Sequence, residues 1–117
     1  MENKIFKYVI KNKHTGVIYY KVYSFEQIEE NGLKGLFDIE NYDIIARLQY
    51  TGLNDKNGKR IFENDTHLDE ENDLFKVVRM ECGRYALKMI SNNYVCEFID
   101  WDKIQIEGNV HDKKEKL

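Results

Sequence analysis

The feature that most constrains this chain is a series of short runs in which apolar residues recur at every second position, each closed by small polar or acidic residues. That period belongs to strands, whose successive side chains point to opposite faces. In "KIFKYVIK", residues 4 to 11, Phe6, Tyr8 and Ile10 share one face, while Lys7 and Lys11 alternate with Ile5 and Val9 on the other. "VIYYKVY", residues 17 to 23, answers it across "NKHTG", where Gly16 can take a positive φ. The two runs predict a β-hairpin. "DIIARLQY" repeats the period through Ile44, Ala46, Leu48 and Tyr50. Further strand-like runs cover 74 to 80, 84 to 90 and 94 to 99, joined through "ECG" and "SNN", and "KIQIEGNV" closes the series.

One segment breaks the pattern. In "SFEQIEENGL", Ser24 and Gln27 match a capping box, Glu26 falls in the first turn and Asn31-Gly32 supplies a stop. The expectation is a helix over 25 to 30. It is far shorter than the ~12 residues at which an isolated helix becomes marginal, so it must dock Phe25, Ile28 and Leu33 against the hairpin. "KGLFDIENY" follows as a connector without a definite pattern. The predicted class is mainly β with one small helix: a coiled or partly closed sheet elaborated by the N-terminal hairpin and helix. With 117 residues, one domain is expected, comprising an elaboration over 1–42, a β core over 43–110 and a charged, solvated tail over 111–117.

Charge and cysteine usage narrow the function classes. Eighteen basic and 21 acidic residues give a net charge of -3, which supplies no global field for nucleic acid or an anionic membrane. No apolar run approaches the roughly 20 residues of a membrane-spanning helix, and lysines interrupt the N-terminal apolar run, so a cytoplasmic location is expected. Cys82 and Cys96 lack a CxxC spacing. They are expected to be reduced, partly buried thiols that serve packing, Cys96 in register with Tyr94 and Phe98.

The stretch "YTGLNDKNGKRIFENDT", residues 50 to 66, gathers glycines, lysine and acids in the manner of a ligand loop. A phosphate loop requires GxxxxGK followed by Ser or Thr, whereas Gly52 and Gly58 are one residue too far apart and Arg60 follows Lys59. A calcium loop with Gly58 at its sharp turn would place Leu53 and Asn64 where carboxylates are required. What remains is a β-turn at "DKNG", with Asn57 and Gly58 where a positive φ is tolerated and Leu53 and Ile61 burying on one side. Gly52, Asp55, Asn57, Gly58, Asp65, Gly108 and Asn109 are therefore assigned structural roles in turns and caps, Asp65 and Thr66 by bonding backbone N–H groups. "ENDTHLDEEND" reads as a solvated, mobile loop. His14, His67 and His111 show no metal-binding spacing. No catalytic residue, metal ligand or cofactor is assigned.

A binding signal lies in the N-terminal ribbon, where Tyr8, Tyr19, Tyr20 and Tyr23 interleave with lysines including Lys11 and Lys21. Aromatic platforms beside lysines can stack single-stranded bases and hold phosphates. The same residues suit a half-buried sheet whose edge is guarded by lysine, and the overall acidity favours that second reading.

"QYTGLNDKNGKRIFENDT", the "CGRYAL" strand pair and "IEGNV" together resemble the YopX family of phage and prophage proteins, over roughly residues 47 to 110. The resemblance is carried by Thr51, Gly52, Leu53, Asp55, Asn57, Gly58, Ile61, Glu63, Asp65, Gly83, Gly108 and Asn109. It implies a compact coiled or bifurcated β-sheet and an uncharacterised accessory role. Asn64 stands where the family has glycine, and the N-terminal hairpin and helix lie outside the matched core. The expectation is a non-enzymatic protein that binds a bacterial or phage protein, or a second copy of itself, through strand edges or the hairpin. Weak single-stranded nucleic-acid binding on the ribbon is the alternative, and no membrane partner is expected.

Overall fold

The computed structural model describes residues 4–112. Strands make up 46% and helix 12%, so the protein is mainly β. The order is β1 (Ile5–Asn12), β2 (Ile18–Ser24), α1 (Phe25–Asn31), β3 (Tyr42–Asn54), β4 (Arg60–Phe62), β5 (Asp65–Leu68), β6 (Leu74–Arg79), β7 (Tyr85–Met89), β8 (Val95–Cys96) and β9 (Gly108–Asn109). Two antiparallel sheets result, in orders β2-β1-β3-β4 and β8-β7-β6-β5-β9, and among the described residues neither closes into a barrel. The chain divides into two compact units, Met1–Gln49 with His111–Leu117, and Tyr50–Val110. The division falls within β3.

In the first unit, β1 and β2 form the expected hairpin, pairing Ile5 with Ser24 through to Lys11 with Ile18. Phe6, Tyr8 and Ile10 are buried on one face, where Tyr23, Ile28, Leu33, Phe37 and Tyr42 pack on them. The helix is capped as its sequence requires: Ser24 Oγ accepts from the Gln27 N–H at 3.1 Å, and Gln27 Oε1 accepts from the Ser24 N–H at 2.9 Å. It ends at Gly32, whose φ of 68° lies in the left-handed region. Ile28 and Leu33 dock as expected, but Phe25 remains 42% exposed. The patternless connector supplies a 3-10 turn at Leu33–Gly35, and the Tyr23 hydroxyl donates to the Leu36 carbonyl at 3.1 Å.

The β1–β3 ladder shifts register between Val9 and Ile10: Val9 faces Ala46 and Ile10 faces Ile44. Ile45 is the extra residue of a bulge. The bulge breaks the alternation of "DIIARL", which leaves Ile44 and Ile45 each 45% exposed. Val9 is fully buried, so both faces of β1 contribute to packing.

In the second unit, Ile61, Phe75, Val77, Leu87, Ile104 and Ile106 form the core, flanked by Leu53, Tyr85, Met89, Cys96, Ile99 and Trp101. Two sequence expectations change. The acidic run is not a loop throughout, because Asp65–Leu68 is a strand paired with both β6 and β9, with Asp65 and Thr66 buried. The run over 94 to 99 pairs only at Val95 and Cys96, after which Ile99 and Trp101 turn onto the core. Cys96 does pack there, but Tyr94 and Phe98 do not follow it: they are 60% and 89% exposed. Of the charged tail, residues 113–117 lie outside those described, and Asp112 accepts a hydrogen bond from the Tyr20 hydroxyl.

Candidate functional site

The glycine-rich stretch folds around Asp55, which is only 4% exposed. Its Oδ1 accepts from the N–H groups of Asn57 and Lys59, both at 2.9 Å, and its Oδ2 accepts from Ile106 N–H at 3.0 Å. The Gly58 N–H donates to the Asp55 carbonyl at 2.9 Å, closing the turn, and Gly58 takes a φ of 80°. Asn57 is not among the residues with positive φ, so glycine alone supplies that conformation here. Burial pushes the Asp55 carboxyl up, but the three N–H donors from Ile106, Lys59 and Asn57 outweigh it and hold it below its ordinary value. The carboxylate thus joins a local turn to a segment far along the chain. Gly52, with a φ of 88°, sits where the β3–β4 register shifts.

A second buried carboxylate organises the β4–β5 corner. Asp65, 1% exposed, accepts from the Phe62 N–H at 2.8 Å through Oδ2 and from Asn109 Nδ2 at 2.9 Å through Oδ1. Asn109 Nδ2 also lies 3.3 Å from the Glu63 carbonyl, and Gly108 pairs with Thr66. Asn64 turns the corner at a φ of 67°, in the left-handed region that asparagine tolerates. Glu63, Asp65 and His67 do not converge on one cleft. Glu63 lies 3.9 Å from Arg79, Asp65 is bonded in the interior, and His67 Nδ1 meets the Gln105 carbonyl at 2.9 Å beside an open depression lined by Lys56, Asp69, Glu71 and Lys103.

The β5–β6 connection brings one carboxylate oxygen each from Asp69, Glu71 and Asp73 within 4.8 Å of one another, a convergence that their spacing did not announce. Asp69 Oδ1 accepts from the Glu71 and Asp73 N–H groups at 2.9 Å, which makes it the organiser of the turn. The thiols are both free, but only Cys96 has the expected packing role. Cys82 is exposed, and the Arg84 backbone N–H beside it lowers its pKa.

The tyrosine-lysine ribbon is divided by the pleat. Tyr8 pairs with Lys21, and Tyr23 with Phe6, on the face that carries the core, where Tyr8 is 4% exposed. A buried Tyr8 has no ring face to offer a base, which removes it from the ribbon as a binding platform. Tyr20 belongs to the opposite face, opposite Val9, with the Lys7 ammonium 5.2 Å from its ring centroid. Lys11 is on that side as well. Tyr19 and Lys21 are exposed together on the outer strand β2.

A family model described as YopX protein matches residues 2–117. The chain belongs to the YopX family. The match includes the N-terminal hairpin and helix, so the YopX pattern reaches well beyond the core in which the sequence resemblance placed it. No curated protein matches the chain. For this YopX protein, the motif residues in the Tyr50–Thr66 stretch now have stated places: Thr51 Oγ1 donates to the Ile61 carbonyl at 2.8 Å, and Asp55 and Asp65 hold the turn and the corner. The Asp55–Ile106 bond had no local signal, since its partners are separated by 51 positions. The exposed Phe98 was hidden by its regular spacing from Cys96.

Proposed function

We propose that this YopX protein is a non-enzymatic accessory protein of a phage or prophage that binds a bacterial or phage protein in the host cytoplasm. The observation that carries the reading is strand β2. It is seven residues long and stands at the edge of its sheet, with Tyr19 and Val22 exposed at 44% and 42%. Edge strands present backbone donors and acceptors that an extended segment of another protein can pair with, while side chains beside them select the partner. Phe25, exposed at the start of the helix, extends the same apolar ground.

The test is capture from host or phage-infected lysate with the intact protein and with a Tyr19→Lys/Val22→Lys variant. Val22 faces away from the core, whereas Tyr19 shares its face with Ile10 and its ring meets that of Tyr42 at 5.9 Å, so the variant's thermal midpoint is compared with that of the intact protein. A partner retained by the first and lost by the second is expected. Equal capture by both, or none by either, contradicts the reading. The exposed pair Tyr19 and Lys21 supports single-stranded nucleic-acid binding as the second reading. It predicts affinity that falls steeply with salt and falls again in Tyr19→Ala.

A further inference from the structure

We propose that the second unit pairs with a second copy of itself through Phe98 and the groove beside it, a surface separate from β2. Phe98 is 89% exposed, the most exposed of the large apolar residues described. The groove next to it is lined by Leu53, Tyr85, Ile99 and Trp101, residues whose other sides already pack on the core. An apolar knob and an apolar groove therefore share one face of one molecule. That is the arrangement a two-fold interface requires, because each copy gives its knob to the other and receives the other's in return.

Charge points to the same occupant. Arg84, Glu97 and Asp100 rim the groove, and all three are exposed. In a two-fold pair that seats each Phe98 in the other's groove, the Arg84 guanidinium of one copy can meet Glu97 of the other, twice over, while Asp100 is already 3.4 Å from Lys103 of its own chain, so Glu97 is the acid on which the complementarity relies. A partner of a single charge sign would meet repulsion from one part of this rim.

Sedimentation velocity of the full chain from about 1 μM to about 1 mM reads the monomer–dimer equilibrium directly. The expected result is reversible dimerisation that Phe98→Asp weakens by roughly a hundredfold or more, since a desolvated ring in each copy is replaced by a charge. Phe98 is exposed, so the circular dichroism spectrum and thermal midpoint should be unchanged. Arg84→Glu and Glu97→Arg should each weaken the dimer, and the double exchange should restore it. A monomer throughout the range overturns the proposal, as does a dimer indifferent to Phe98→Asp, a double exchange without rescue, or a dimer abolished by the Tyr19→Lys/Val22→Lys change in β2.

Discussion

Asp55 bonds three backbone N–H groups from the interior, one of them 51 positions away, so a single carboxylate fastens the turn at Asn57 and Lys59 to the segment at Ile106. Its amide replacement keeps the shape but turns one acceptor into a donor. Asp55→Asn is expected to lower unfolding stability by about 2 to 3 kcal/mol at pH 7, through loss of charge-assisted bonds and a donor set against a donor. The pH dependence has a defined sign. The folded-state pKa is depressed, so the stabilisation is fully present above the unfolded value of about 4 and is lost as pH falls through the lower folded value. Urea denaturation of both forms should show a gap that is wide at pH 7 and narrows below about pH 4. A gap independent of pH would mean that the acceptor lost to the amide, and not ionisation, is what Asp55 contributes.

The elements themselves were largely legible in the sequence, because period two, the capping box and the turn residues are local signals that act within a few positions. Ser24 and Gln27 cap each other as spaced, and Asn64 occupies the left-handed region as its chemistry allows. The misreadings come from places where a distant partner decides. Ile45 is displaced by a bulge set against β1, and the strand at Asp65–Leu68 exists because β6 and β9 pair with it on either side. Phe98 keeps the spacing of a core residue after the chain has left the ladder. The tyrosines of the N-terminal ribbon show one composition but two environments: Tyr8 and Tyr19 share a face, but Tyr8 lies on the inner strand β1 and is buried, while Tyr19 lies on the edge strand β2 and is 44% exposed. Helix α1 offers a test at this scale. Ile28 packs on the sheet while Phe25 is 42% exposed, so Ile28→Ala should cost about 1 to 2 kcal/mol and Phe25→Ala clearly less. Thermal unfolding monitored by circular dichroism distinguishes them, and the reverse ranking would mean that Phe25 anchors the helix.

In the whole molecule, the motif that identifies a YopX protein and the surfaces available to a partner are different residues. The glycines and acids of the Tyr50–Thr66 stretch build turns and fasten the second unit, while exposed apolar side chains such as Tyr19, Val22, Ile44 and Ile45 lie in one unit and Leu68, Ile90 and Phe98 in the other. No helix among the described residues is long and apolar enough to cross a membrane. The central claim is that β2 receives an extended segment of another protein. Amide hydrogen exchange of the intact protein, alone and with a captured partner, tests it most directly, because a new backbone ladder slows exchange along the strand that forms it. The account predicts added protection across Ile18–Ser24 that is absent when the Tyr19→Lys/Val22→Lys variant is mixed with the same partner. Protection that arises elsewhere, with β2 unchanged, would contradict it.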